Sequence, residues 1–127
     1  MPAMANMTLK AFNGTTDVTY NVLNGSGPNY GWADTSQGTP GGFRQVQLQV
    51  KQPADPTKGV TRTILKIARP FVNATTGLVD YIGRANIEVL VPVNATLAER
   101  QELYAMIKNS IAHANLQSAI VDGQGMY

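Results

Sequence analysis

The chain has 127 residues, 43% apolar and 14% charged, with a formal net charge of +2 and no cysteine. That length sets one domain with a modest core, and the low charge leaves apolar surface for which self-association is the simplest cover. Disulfides and thiolate metal sites are excluded.

Residues 1–7 lack a basic leader region, and no stretch approaches membrane-spanning length, so a soluble, unsecreted chain is expected with no membrane partner. The Asn-x-Thr triplets at Asn6, Asn13, Asn73 and Asn94 then carry no glycosylation meaning. Residues 7–12 and 17–23 read as strands around Asn13-Gly14, a dipeptide that favours a tight hairpin because both residues tolerate positive φ. Residues 24–42 are rich in Gly, Pro, Ser and Asn and read as irregular connection with a short strand at 30–33. Residues 43–52 alternate: Val46, Leu48 and Val50 point one way, and Gln45, Gln47, Gln49 and Lys51 the other.

Pro53 and Pro56 break that strand, and residues 61–68 resume the extended pattern as a second hairpin. Thr63, Leu65 and Ile67 share one parity; Arg62, Ile64, Lys66 and Ala68 share the other. After Pro70 a loop is expected over 71–80, then the longest strand over 81–93, with Ala85, Ile87, Val89 and Val91 opposite Arg84, Asn86 and Glu88. Three strands with one polar face need their other face covered. Thr96-Leu97-Ala98-Glu99 is a capping box that starts a helix, with Leu103, Met106, Ile107 and Ile111 at helical spacing, and 115–121 reads as a second helix stopped near Gly123. Two such helices suit either their own sheet or an intertwined dimer in which each chain reaches over its partner.

Charge is sorted along this pattern. Between Arg44 and Arg84 lie seven basic residues (Arg44, Lys51, Lys58, Arg62, Lys66, Arg69, Arg84) against Asp55 and Asp80, a net of +5, while the remainder has three basic residues and six acids, a net of −3. A cationic sheet face is a counter-ion for a polyphosphate; the alternative is a solvated face with no ligand. Catalysis finds little support: His113 is the only histidine and falls at a predicted helix end, no nucleophile or phosphate-loop motif occurs, and the eight acids are scattered. No cofactor or metal is expected.

The order of elements and several strings resemble the coat protein of the single-stranded RNA bacteriophages, the levivirus type. The strings are Thr15-Thr16-Asp17-Val18-Thr19 after the Asn-Gly turn, Trp32, Val50-Lys51-Gln52, Asn86-Ile87-Glu88-Val89-Leu90-Val91-Pro92, and the tail from Ser118-Ala119-Ile120 to Gly125-Met126-Tyr127. Each is short; their shared order and spacing from about residue 7 to the end carry the resemblance.

The resemblance implies an α+β fold: an N-terminal hairpin over 7–23 after a flexible start at 1–6, a five-stranded antiparallel sheet over 29–93, and two C-terminal helices over 96–122. It implies an interlocked homodimer with one ten-stranded sheet, dimers that form an icosahedral shell, and an inner face on single-stranded genomic RNA that also binds a replicase stem-loop as a translational repressor. The phage maturation protein is a further implied partner, and the virion, assembled in the bacterial cytoplasm, the implied location. Lys51, Lys66 and Asn86 stand where the family has RNA-contacting basic, basic and Asn residues, and Glu88 also matches. Gln47, Gln49 and Ile64 fall where hydroxyl residues help form an adenine pocket, and Arg84 where a tyrosine stacks on a base, so the pocket chemistry differs here. Gln45 and Arg62 complete the expected RNA-binding set, and the 71–80 loop corresponds to the one gathered at the symmetry axes of the shell. Two rival readings are a cellular oligomeric RNA-binding module that forms no shell and a small enzyme with a nucleotide-like substrate.

Overall fold

The computed structural model describes residues 4–26, 29–37 and 40–123. Six strands, β1 (Met7–Lys10), β2 (Asp17–Ser26), β3 (Asn29–Asp34), β4 (Arg44–Lys51), β5 (Val60–Val72) and β6 (Val79–Pro92), precede two helices, α1 (Leu97–Ala112) and α2 (Ala114–Val121). The strands pair antiparallel in chain order, β1 to β6. The first part of β2 pairs with β1 and the rest with β3, so the expected hairpin and five-stranded sheet are joined through one strand. A bulge at Leu23 marks the change of partner.

Three local expectations need correction. The first hairpin is not closed by a two-residue turn: β1 stops at Lys10, Ala11 N–H donates to Thr16 O at 2.8 Å, and Gly14 alone takes positive φ, +74°. Asn13 contributes through its side chain, whose oxygen accepts from the N–H groups of Thr15 and Thr16 at 3.0 and 2.9 Å. The 24–42 stretch is more regular than its composition implies, since β2 runs to Ser26 and β3 begins at Asn29, followed by 3₁₀ turns at Thr35–Gln37 and Pro40–Gly42. Finally, β5 continues through Pro70 to Val72. Pro70 is tolerated because β4 pairs no further than Ala68, so the side without a donor faces no strand.

Register sorts the side chains into two faces. Trp32, Val46, Ile67 and Ala85 share one rung of the apolar face, and Tyr30, Leu48, Leu65 and Ile87 the next. Residues 4–6, expected as a flexible start, are tied to this region: Trp32 Nε1 donates to Ala5 O at 2.9 Å, Val22 N–H donates to Asn6 Oδ1 at 2.9 Å, and the Met4 thioether lies against Gly25 where a Cβ would stand. Few side chains are buried. Ala33, Val46, Pro70 and the Asp34 carboxylate are the buried ones among the described residues.

The helices do not supply the missing cover. Thr96 caps α1 as expected, its hydroxyl accepting from Glu99 N–H at 3.2 Å while the Glu99 carboxylate accepts from Thr96 N–H at 3.0 Å. His113 ends α1 and caps α2, its Nδ1 accepting from Asn115 N–H at 3.1 Å, a structural use that accounts for the only histidine. The helices pack on each other and make no more than marginal contact with the sheet. Met106 is 60% exposed and Ile120 72%.

The whole chain exposes 9499 Å², whereas a compact monomer of 13.6 kDa exposes roughly 6,600 Å². The excess of about 2,900 Å² per chain is of the size buried in obligate dimers. Thr96→Ala removes one partner of the cap and should cost about 1 kcal/mol, read as a lower urea midpoint at fixed protein concentration, while Thr96→Asn should leave the midpoint nearly unchanged.

Candidate nucleic-acid interface

The face opposite the apolar one is built by the pairing of β4, β5 and β6. Its rungs are Gln45–Ala68–Arg84, Gln47–Lys66–Asn86, Gln49–Ile64–Glu88 and Lys51–Arg62–Leu90. All ten sequence-predicted RNA-contact residues therefore lie on four consecutive rungs. At ordinary strand spacing this is a floor about 20 Å long and about 10 Å wide. It exists because glutamine, lysine and arginine alternate with valine, leucine and isoleucine at period two, so that burying one parity exposes the other.

The cations of the basic segment divide between the two faces. Lys51, Arg62, Lys66 and Arg84 stand on the floor. Arg44 and Arg69 are on the apolar side: Arg44 Nη1 lies 4.0 Å from the buried Asp34 carboxylate, and the Arg69 guanidinium lies 4.3 Å from the centre of the Phe71 ring. Lys58 is in the β4–β5 turn, where Asp55 accepts from Thr57 N–H at 2.9 Å and Thr57 Oγ1 at 2.7 Å. Those two bonds hold the Asp55 carboxyl below its ordinary range. On the floor itself Arg62 Nε is 3.5 Å from Glu88 Oε1, whereas Lys51, Lys66 and Arg84 have no ion-pair partner among the described residues.

Two shallow depressions meet on the floor and share Gln47 and Lys66. One, of about 200 Å³, is lined by Asn29, Tyr30, Gln47, Leu48, Gln49, Ile64 and Lys66. The other, of about 340 Å³, takes in Gln45, Ala68, Arg84 and Asn86. The methyl of Ala68 facing Arg84 leaves this second hollow open. Gln47 Nε2 donates to Gln45 Oε1 at 3.3 Å, which leaves an amide oxygen on Gln47 and donors on Gln45 uncommitted. Asn29 is a lining residue that sequence reasoning missed, because it was assigned to the irregular stretch. Its signal was parity: Asn29 alternates with Tyr30 in step with Gly31 and Ala33, and pairs with Gln49.

Beyond the floor, the loop at the β5–β6 end is shorter than the expected 71–80 and spans residues 73–78. It is closed by Asn73 N–H to Leu78 O and Gly77 N–H to Asn73 O, both at 2.8 Å, with Gly77 at φ +72°. The Asn73 side-chain oxygen accepts from Thr75 N–H at 2.8 Å and Thr76 N–H at 3.2 Å. The freedom expected from Gly77 and its small neighbours is thus taken up by a hydrogen-bonded turn. No group of three or more metal-ligating side chains occurs among the described residues.

Comparison with known proteins gives this geometry a family. No curated protein sequence matches the chain. Among solved structures, the virus-like particle of bacteriophage NT-214 is similar at 21% identity and a TM-score of 0.86, covering 99% of this chain and 100% of that one. The capsid protein of bacteriophage GA is similar at 15% identity and a TM-score of 0.77, over 97% of each chain. A bacteriophage coat protein described as an unassembled, RNA-binding dimer follows at 14% identity and a TM-score of 0.74, again over 97% of each. The model of the levivirus coat protein family matches residues 2–127, and the chain belongs to that family of structural coat proteins.

Proposed function

We propose that this protein packages single-stranded RNA inside a closed shell built from interlocked dimers. In each dimer the helices left bare on their own chain reach over the apolar face of the partner's sheet. Strands β2–β6 of the two chains join into one sheet of ten strands, so that the two floors become one. Dimers close into an icosahedral capsid with the helices outward and the joined floor inward on the genome. Particle assembly takes place in the bacterial cytoplasm, and the phage maturation protein is a further partner of the shell.

The observation that carries this reading is the coincidence of a one-sided polar floor with helices that leave the sheet uncovered. A monomeric RNA-binding domain would cover its own core. Lys51 and Lys66 serve as phosphate partners, and the amides of Gln45, Gln47, Gln49, Asn86 and Asn29 supply donors and acceptors to the edges of unpaired bases. The replicase stem-loop would lie on this same floor. Amides and isoleucine where the family uses hydroxyl residues, together with Arg84 in place of an aromatic, favour general packaging over tight reading of one hairpin.

Electron microscopy of the purified protein should show uniform hollow particles that contain RNA protected from nuclease. Dimers that bind RNA without closing would instead mark a module that forms no shell. On the RNA side, Lys66→Ala should lower the slope of log affinity against log salt by about 0.7, the share of one phosphate on a single strand. Arg62→Ala should change that slope much less, because Glu88 already neutralises Arg62 at 3.5 Å. Asn73→Ala, which unties the 73–78 turn, should alter particle diameter or uniformity and leave dimers intact; dissociation to monomers would show that the turn serves the dimer instead.

A further inference from the structure

β6 is an edge strand, fourteen residues long, with β5 on one side and a row of unpaired backbone groups on the other. An edge of that length invites another strand. Two apolar side chains on the floor side of β6, Ile82 at 43% exposure and Leu90 at 46%, have no cover within the chain. We infer that two copies pair along β6 with Asn86 on the twofold axis, so that Arg84 of each chain lies opposite the partner's Glu88. This rests on the dimer proposed above and fixes its seam.

Symmetry limits the choices. A twofold axis perpendicular to the sheet carries the floor of one chain onto the floor of the other, so the residue on the axis faces its own copy and every pair is equidistant from it. Pairing uses nearly the whole of β6, Val79–Pro92, only if the axis lies at Ala85 or Asn86. With Ala85 on the axis, Arg84 meets an amide and the Glu88 carboxylate meets Ile82. With Asn86 there, Arg84 meets Glu88 twice, Ile82 meets Leu90 twice, and the two Asn86 amides meet each other. An axis at Arg84 or Glu88 would set like charges face to face, which destabilises a cross-strand pair. On the apolar side the Asn86 register also opposes Ala85 to Ile87 and Gly83 to Val89, small against large.

This seam changes the role of Arg84. Glu88 receives Arg62 of its own chain at 3.5 Å and, across the axis, Arg84 of its partner. The arginine that stands where relatives place a stacking ring thus joins the halves of the floor, leaving Lys51 and Lys66 as the cations of each chain free for phosphate.

The natural chain has no cysteine, so single substitutions report the register directly. Under mild oxidation Asn86→Cys should lock the dimer fastest on a non-reducing gel, with Ala85→Cys and Ile87→Cys lagging. If Ala85→Cys is fastest, or none of the three locks a protein that sedimentation shows to be dimeric, the register is wrong and the dimer reading stands. A monomer in sedimentation removes both. Independently, Arg84→Glu should weaken dimerisation about tenfold through its two symmetric pairs, and adding Glu88→Arg should recover much of the loss; no recovery overturns the pairing.

Discussion

The register of β4, β5 and β6 is the constraint on which the rest of the structure depends. Gln47, Lys66 and Asn86 share a rung because the strands pair as they do, and Leu48, Leu65 and Ile87 share the next rung on the other face for the same reason. A slip of one residue in β5 would put Lys66 among the apolar side chains and Leu65 on the floor, a cost no turn could offset. Since burial and the floor are two readings of one alternation, the residues that build the interface also fix the strands that hold it.

That sheet cannot be stable as an isolated chain of this shape. Only Ala33 and Val46 are buried aliphatic side chains among the described residues, and the helices keep Met106, Ile111 and Ile120 exposed. Hydrophobic burial is the main force against chain entropy, so the native state belongs to the assembly more than to the chain. Folding and association are then one equilibrium. The rigid local devices, such as the Thr96–Glu99 cap and the Asn13 and Asn73 turns, shape the chain before the partner arrives, because their bonds are local and need no core.

Much of this was legible in the sequence because the deciding signals are local. Period-two alternation placed the floor, the capping box placed α1 within a residue of its start, and Gly123, at φ +66°, follows the end of α2. The misses share a physical cause, in that each depended on a neighbour in space. Pro70 reads as a strand breaker until β4 is known to end short of it, and Asn29 reads as loop until β3 is seen to lie beside β4. The pairing of Arg62 with Glu88 joins adjacent strands across the floor and no single-strand pattern shows it. The terminal Gly-x-Tyr, part of the family resemblance, lies outside the described residues.

The modest charge of the floor fits the task proposed for it. Four cations and one carboxylate per chain give a local charge of +3, and the Arg62–Glu88 pair withdraws one of those cations from phosphate. Such a surface binds RNA weakly and without strong sequence preference, since each phosphate contact is worth little at physiological salt. In a shell of many copies, weak contacts on one polymer add through effective concentration, so the assembly holds its RNA firmly while each subunit remains free to detach and correct its position. A more cationic floor would trap misplaced subunits on RNA and raise repulsion between neighbouring copies. Amides are the residue type that avoids this: they add hydrogen bonds to bases without adding charge to the wall.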